Sequence, residues 1–339
     1  MTPLTWLTDH LAFPREGAVL AIAALLDYLI GDPVGWWHPV QGMGWIITRL
    51  SEQSLTSLKP GLLQKLAGVG LGLSLILGSG LAGWLMIAAM RQISDWGATA
   101  IEIVLLASCF AARSLRHAAE DVLRPLQAGD VVQARTILRQ YVGRDTENLS
   151  AAEILRATLE TVTENTTDGV MAPLFYALIG AVLPGVGSVP LALAYKAAST
   201  LDSMVGYREA PYTYLGWFSA KVEDGLTWLP CRLTVLTVSL LSGKPLRVWK
   251  ICLRDAPQDP SPNSGWSECA YAAALGVQVG GTNWYGGVAK QKPLLADPID
   301  SITPQTIHQA LRLTQYCFLI WLGLGICPLL LWSLLRLNR

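Results

Sequence analysis

From Leu66 to Met90 the chain runs for 25 residues without a charged side chain. Few environments accept such a run. A helix rises about 1.5 Å per residue, so this one spans the roughly 30 Å hydrocarbon core of a bilayer with its backbone hydrogen bonds closed internally. In water the same helix would expose apolar surface on every face. Composition agrees with a lipid setting. Of 339 residues 15% are charged and 52% hydrophobic, and the mean hydropathy is +0.38. Soluble proteins carry about 25% charged residues. The fold expected is mainly α, a polytopic integral membrane helical protein. Lys plus Arg and Asp plus Glu stand at 25 each, which offers no electrostatic footprint for nucleic acid.

Other apolar stretches fall near 17–30, 98–112, 170–195, 225–241 and 316–335. Asp27 interrupts the first, Glu102 the second and Arg232 the fourth. PGVGSVP (184–190) breaks the third into two half-length helices joined by a turn. The short, arginine-bearing run at 225–241 reads as an interfacial or re-entrant helix. Between Arg113 and Thr163 lie seven arginines, which the positive-inside rule places in the cytoplasm. With 170–195 as a hairpin, the large polar segments meet on that one side, in a single domain covering 1–339. Asp9 and Glu16 ahead of the first apolar run do not suit a cleaved signal. Six cysteines without a CxxC pair are expected to be reduced and structural.

Chemistry-bearing residues gather in the polar blocks. Ser150-Ala-Ala-Glu153 is a capping box, which starts a helix running to about Thr163. Glu164, Asn165 and Asp168 follow at its end. Three oxygen-bearing groups within five residues suit a hard cation such as Mg²⁺, or simply form a polar loop turning at Asp168-Gly169. Lys196 closes the hairpin beside Ser199, Thr200, Asp202 and Ser203. It either snorkels at the bilayer edge or holds a phosphate. Lys221 beside Asp224 poses the same choice. RDAPQDPSPNSG (254–265) offers Ser261, Asn263 and Ser264 on a proline-stiffened backbone. LGVQVGGTNWYGG (275–287) is either a flexible loop or a backbone wrap for an anion. His38 is one of four histidines. Walker A, GxGxxG, GxSxG, HExxH and EF-hand patterns are all absent from the sequence. The residues alone indicate a membrane protein with a polar, one-sided site suited to phosphate and a divalent cation.

Six blocks in order go further: LDYLIGDPVGWWHPV (26–40), VGRDTENLSAAEILRATLETVTENTTDGVMAPLFYALIG (142–180), YKAASTLDSMVGY (195–207), SAKVEDGLTWLPCRLT (219–234), RDAPQDPSPNSGW (254–266) and LGVQVGGTNWYGG (275–287). Together they resemble the CobD/CbiB family, the adenosylcobinamide-phosphate synthases of cobalamin biosynthesis. Ser199 stands where asparagine is common in that family, and Glu223 where aspartate is.

The resemblance implies a multi-pass enzyme of the cell inner membrane with its site facing the cytoplasm. It would join an aminoalcohol phosphate to the free propionate of adenosylcobyric acid, using ATP and Mg²⁺. Its corrinoid is a substrate, and other late corrinoid-assembly enzymes are expected partners besides membrane lipid. On this basis Glu164 and Asp168, with Asp202 or Asp145, are expected to hold Mg²⁺. Lys196, Lys221, Arg144 and Arg254 would clamp phosphates. Ser261, Asn263 and Ser264 would orient substrate, with Asn165, Thr200, Ser203, Gly281, Asn283 and Tyr285 completing the binding set. His38 or a carboxylate would take the amine proton. Trp36, Trp37, Trp217, Trp228 and Trp284 are candidates to line a corrinoid cavity. The alternative is a transporter or a non-catalytic membrane sensor on the same scaffold. Polar groups gathered in extramembrane blocks, rather than along a crossing path, favour the enzyme.

Overall fold

The computed structural model describes residues 3–32, 35 and 38–337, with side chains for 15–32, 35 and 38–329. Trp36 and Trp37 lie outside the described residues. In chain order the elements are α1 (Pro3–Leu29), α2 (Pro39–Ser57), α3 (Leu62–Arg91), α4 (Asp95–Ala107), α5 (Ala112–Gln127), α6 (Val131–Leu138) and α7 (Ala151–Asn165). A π-helical turn (Thr166–Met171) leads into α8 (Ala172–Val182), followed by α9 (Ser188–Val205), α10 (Trp217–Leu241) and α11 (Pro245–Asp255). The rest comprises α12 (Ser264–Leu275), β1 (Val279–Tyr285), β2 (Val288–Leu295) and α13 (Pro304–Leu337). Among the described residues three stretches are long and apolar enough to cross a membrane: Leu62–Arg91, Asp95–Gln127 and Pro304–Leu329.

Two compact units emerge. The first draws on Met1–Ala111, Ala172–Leu226 and Leu319–Arg339, the second on Ala112–Met171 and Thr227–Phe318.

In the first unit α3 is the central strut, packed against α9, α4 and α2. Its glycines make this possible. A methyl at Gly80 would sit 2.9 Å from the Pro190 carbonyl oxygen, and one at Gly83 would sit 2.6 Å from Leu193 Cδ1. Gly72 leaves room for the Phe218 ring in the same way. Small residues on one helical face let backbones approach closely, which drives association where lipid removes the hydrophobic term. Leu66, Leu73, Leu77, Leu81 and Leu85 stay exposed along the same helix, a surface for lipid chains. The acid inside the second span is answered within this unit. Glu102 accepts from Arg15 and from Arg91, each at 2.6 Å, so it enters an apolar helix as part of an ion triad.

The stretch 170–195 bends between α8 and α9, which pack side by side. The turn uses Gly185 and Gly187 at φ of +78° and +83°, a region only glycine enters freely. Gly180 lets α8 lie on that turn: a β-carbon there would come 2.3 Å from the Gly187 carbonyl oxygen. The Asp168-Gly169 step is not the helix end expected from the sequence. The helix continues from α7 into α8 through the π-helical turn. Pro173 supplies a physical reason. In an unbroken α-helix its ring would press on the carbonyl four residues earlier, at Gly169, and widening the preceding turn relieves that clash.

In the second unit α5, α6 and α7 share an apolar core of Val122, Ala134, Leu138, Leu149, Ile154 and Ala157. Ser150 caps α7 as the sequence implies: its hydroxyl accepts from the Glu153 N–H at 3.3 Å, and the Glu153 carboxylate accepts from the Ser150 N–H at 2.7 Å. The glycine-rich segment at 275–287 is not a loop. It forms β1, paired antiparallel with β2, and Tyr285 faces Val288 across a Gly286-Gly287 turn. Both glycines have positive φ, +55° and +78°, as a two-residue primed hairpin turn requires.

Substituting Gly180→Val should force α8 off the α8–α9 turn and cost about 1–3 kcal/mol or more. Gly78→Ala, a position with open space around it, serves as the control. Thermal unfolding in detergent should show a lowered midpoint for the first and none for the second.

Candidate functional site

The second unit buries an unusual number of charges, and Glu160 organises them. It is 1% exposed, on the face of α7 that meets β1. Arg144 donates to its Oε2 at 2.5 Å, Arg156 to its Oε1 at 3.0 Å, and the Gly280 N–H to Oε1 at 2.9 Å. The two arginines are themselves tied to the hairpin. Asn283 Oδ1 accepts from Arg144 at 2.9 Å and from Arg156 at 3.1 Å, while the Gly280 carbonyl accepts from Arg156 at 2.7 Å. Gly280 must be glycine for this approach: a β-carbon there would meet the Pro293 carbonyl oxygen at 1.9 Å. Burial alone would raise the Glu160 carboxyl, but Arg144 and Arg156 outweigh it and hold it below the usual carboxylate range.

A second pair lies beside the first. Glu268 on α12 is fully buried, and Lys292 on β2 donates to both its oxygens, at 2.6 and 2.8 Å. Burial pushes the Glu268 carboxyl well up, against the pull of Lys292, with Glu164 and Glu160 adding repulsion. Burial works to lower Lys292, yet Glu268, Glu164 and Glu160 together raise it above its ordinary value. Glu164, half-buried at the last turn of α7, completes the group. Burial raises it, Lys292 opposes, and Asp259 and Glu160 raise it further. Three glutamates therefore share one lysine and two arginines. Glu268 and Lys292 escaped the sequence reading, although Glu268 is the single charge in SGWSECAYAAAL, a signal that the residue is held rather than solvated.

The 259–264 turn is built from its own side chains. Asp259 Oδ1 accepts from the Ser261 N–H at 2.8 Å, and Ser261 Oγ accepts from the N–H groups of Asn263 and Ser264 at 3.2 and 3.1 Å. Asn263 Oδ1 faces α10 and accepts from Arg232 at 3.0 Å, while Cys231 donates to the Asn263 carbonyl at 3.3 Å. Thr167 and Asp168, on the π-helical turn, approach Cys231. The turn is further held to α12 by Thr167, which donates to Ser267 at 2.9 Å, and Ser267 donates on to the Thr163 carbonyl at 2.5 Å.

The other sequence candidates in this unit are structurally committed. Asp145 accepts from the N–H groups of Gly286 and Gly287 at 2.9 and 2.8 Å, clasping the hairpin turn. Arg254 grips both oxygens of Asp255 at 2.6 and 2.8 Å and also Asp297 at 2.7 Å. Its hydrogen bonds hold Asp255 below its ordinary value. Asn165 is exposed and donates to the Thr161 carbonyl at 2.9 Å. Gly281 lies at the β1 bulge, and Lys290 sits 5.3 Å from the Tyr285 ring centre.

Six candidates belong to the first unit. On α9, Thr200 donates to the Lys196 carbonyl at 2.7 Å and Ser203 to the Thr200 carbonyl at 2.9 Å. The Asp202 carbonyl accepts from the Gly206 N–H at 2.8 Å. Exposed Lys221 lies 3.9 Å from half-buried Asp224. His38 caps α2: its Nδ1 accepts from the Val40 N–H at 3.2 Å, and its Nε2 lies 3.1 Å from Asp32. Among the aromatic candidates, Trp217 carries Lys65 over its ring at 5.2 Å, and Trp228 and Trp284 remain half-exposed.

Among the described residues no three His, Cys, Asp or Glu side chains converge as a metal site. Glu164 and Asp168 nevertheless keep part of their surface open. Two such carboxylates fit the usual way Mg²⁺ is held, by one or two protein oxygens together with substrate phosphates.

The family model described as "CobD/Cbib protein" matches residues 20–314. A Synechocystis protein named cobalamin biosynthesis protein CobD is 54% identical over 312 residues, 92% of this chain and 91% of the relative. The cobalamin biosynthesis protein CobD of Geobacter metallireducens is 41% identical over 320 residues, 91% and 96% of the two chains. The cobalamin biosynthesis protein CbiB of Salmonella typhimurium is 39% identical over 298 residues, 86% and 91%. No solved structure matches.

Removing one carboxylate charge should reveal how much the cluster carries. Glu160→Gln leaves Arg144 and Arg156 buried without an anion, at a cost of about 3–5 kcal/mol. The folded carboxyl of Glu160 lies below its unfolded value, as does that of Asp255. Their stabilisation is therefore complete at neutral pH and is lost as pH falls through those lowered values, below about 4. Thermal midpoints in detergent should drop across that window in the wild type, with a shallower slope in Glu160→Gln. Equal slopes would remove Glu160 from the acid response.

Proposed function

The chain belongs to the CobD/CbiB protein family, and we propose from that membership that it works in cobalamin biosynthesis as an amide-forming ligase. The carrying observation is that relatives named cobalamin biosynthesis proteins align over nine-tenths of their own lengths. The reaction joins the amine of an aminoalcohol phosphate, (R)-1-aminopropan-2-ol phosphate, to the propionate of adenosylcobyric acid. ATP is consumed, and adenosylcobinamide phosphate, ADP and phosphate are formed.

A carboxylate resists attack by an amine because it carries a full negative charge and has no leaving group. Transfer of the terminal phosphoryl group of ATP to the propionate gives an acyl phosphate. The free amine then forms the C–N bond, the C–O bond to phosphate breaks, and one proton leaves the nitrogen. Phosphoryl transfer depends on positioning and on neutralising charge more than on covalent help from the protein. Mg²⁺ bound with the nucleotide would supply that neutralisation, held on the protein side by Glu164 and Asp168.

The chain's own groups do the rest. One of the carboxylates beside the substrate accepts the amine proton in this reading. The ion pairs around Glu160 fix α7 against the hairpin and so hold Glu164 in place. Ser264, on the self-bonded 259–264 turn, donates its hydroxyl to Asp259 at 3.4 Å and is assigned to substrate in this reading. Within the first unit, Lys196, Lys221, Thr200 and Ser203 are read as phosphate-binding groups and Asp202 as a carboxylate for Mg²⁺, while His38 orients α2. The arginine-rich segment 113–163 supports placing this machinery on the cytoplasmic side of the inner membrane.

Purified protein in detergent, given adenosylcobyric acid, aminopropanol phosphate, ATP and Mg²⁺, should release adenosylcobinamide phosphate detectable by mass spectrometry. Asp168→Asn should lower turnover by about 10²-fold or more while membrane insertion is unchanged. Wild-type turnover in that variant would take Asp168 out of the machinery. Failure of the wild type to form amide under any nucleotide would sink the ligase reading.

A further inference from the structure

Four cations of the second unit are already occupied, among them Arg144 and Arg254, which the sequence offers for phosphate. Arg144 and Arg156 both bind Glu160, Arg254 binds Asp255 and Asp297, and Lys292 binds Glu268. Arg232 on α10 differs. Its guanidinium lies 5.1 Å from the Trp228 ring centre and 4.6 Å from that of Trp266. It donates to the neutral Asn263 Oδ1 at 3.0 Å and also meets the Cys231 thiol. Among the described residues no carboxylate pairs with it.

Two indoles on a guanidinium remove water from its flat faces but add no compensating charge. A half-buried cation with neutral partners is poorly solvated, and an anion arriving at its edge gains what water no longer supplies. The two rings and Asn263 restrict the guanidinium, and its remaining N–H groups offer a fork. Phosphate oxygens match that fork in two parallel hydrogen bonds. The surroundings are those of the site already described. Asn263 belongs to the 259–264 turn, and Thr167 and Asp168 approach the adjoining Cys231.

We propose that Arg232, held between Trp228 and Trp266, binds the dianionic phosphate of a phosphomonoester. The assignment rests on the ligase reading for the identity of that compound, the aminoalcohol phosphate. α10 also carries exposed Leu229, Leu236 and Leu240, so the same chemistry is available from the headgroup of a phosphatidic acid. Asn263 sets the orientation of the fork, and the two indoles set its plane. Lysine would restore the charge without either feature.

Calorimetric titration of the full chain in detergent separates the cases. The probes are inorganic phosphate, (R)-1-aminopropan-2-ol phosphate and dihexanoyl phosphatidic acid, each added to wild type, Arg232→Gln and Arg232→Lys. Wild type should bind the aminoalcohol phosphate, and both variants should bind it about tenfold or more weakly, with thermal midpoints close to wild type. Should Arg232→Gln fail to fold, Arg232→Lys alone decides, because it keeps the charge and loses the fork. Loss confined to dihexanoyl phosphatidic acid also supports a phosphate site and assigns it to lipid. Equal affinities in all three proteins, or no binding of any probe by wild type, overturn the proposal. Amide formation measured on the same preparations keeps the two readings apart. A wild type that makes no amide, yet loses phosphomonoester binding on substitution, fails the ligase reading and retains Arg232. Unchanged KM for aminoalcohol phosphate in an active Arg232→Gln enzyme does the reverse.

Discussion

Glu160 is the residue on which the second unit depends. A single carboxylate, nearly without access to water, accepts two guanidinium groups and a backbone N–H. Each partner comes from a different piece of chain: Arg144 precedes α7, Arg156 is one turn before Glu160 on that helix, and Gly280 is on β1. Buried charges cost several kcal/mol each to desolvate, and only near-complete pairing offsets that. Partial assembly is therefore unfavourable. The hairpin, the approach to α7 and α7 itself are stable together in one arrangement. A cluster of this kind specifies geometry more than it adds stability, and geometry is what the neighbouring Glu164 and the π-helical turn require.

The π-helical turn shows how backbone and chemistry meet. Pro173 forbids a regular α-helical register at Gly169, and the widened turn that results carries Asp168. Wide turns of this type are rare and concentrate at functional sites. Here the turn is not loose. Thr163 and Thr166 return their hydroxyls to the carbonyls of Leu159 and Val162, at 2.9 and 2.8 Å, and Thr166 also meets Thr314 at 2.8 Å. The polar run TENTTDG is thus part of the helix. Its threonines satisfy the altered ladder from inside, leaving Glu164 and Asp168 partly open.

Sequence exposed some of this and hid the rest for identifiable reasons. The capping box at Ser150, the uncharged α3 and the bend between α8 and α9 are local: hydrogen bonding over three residues, apolar content over 25, or glycine at positive φ decides them. The hairpin was also local in principle, since Gly286-Gly287 between strand-like residues is a primed-turn signature. It was obscured because β1 itself carries two glycines, Gly280 and Gly281. The charge pairings were not local. Arg156 and Glu160 sit at helical spacing and suggest a simple surface pair. That Arg144 and the Gly280 N–H join them, across 16 and 120 residues of chain, depends on the tertiary fold. Arg144 and Arg254 therefore looked free for phosphate in the sequence and are bound to acids in the structure. Arg232 sat in an apolar run and looked like an obstacle to membrane entry.

Charge balance makes that reversal intelligible. Arg144 and Arg156 are both engaged by Glu160 and Lys292 by Glu268, with Glu164 a further acid beside them. Such a cluster has no surplus positive charge for a doubly charged phosphate, and an anion drawn into it would have to displace a buried glutamate. The penalty for stranding that glutamate exceeds what a new phosphate contact returns. A phosphate bound in this unit would therefore be met by a cation outside that set. Arg232 meets that requirement because its partners are two π faces, an amide oxygen and a thiol, which orient it without cancelling its charge. The division of labour follows from electrostatics: paired cations hold the fold, and the cation whose neighbours are neutral remains available to a ligand.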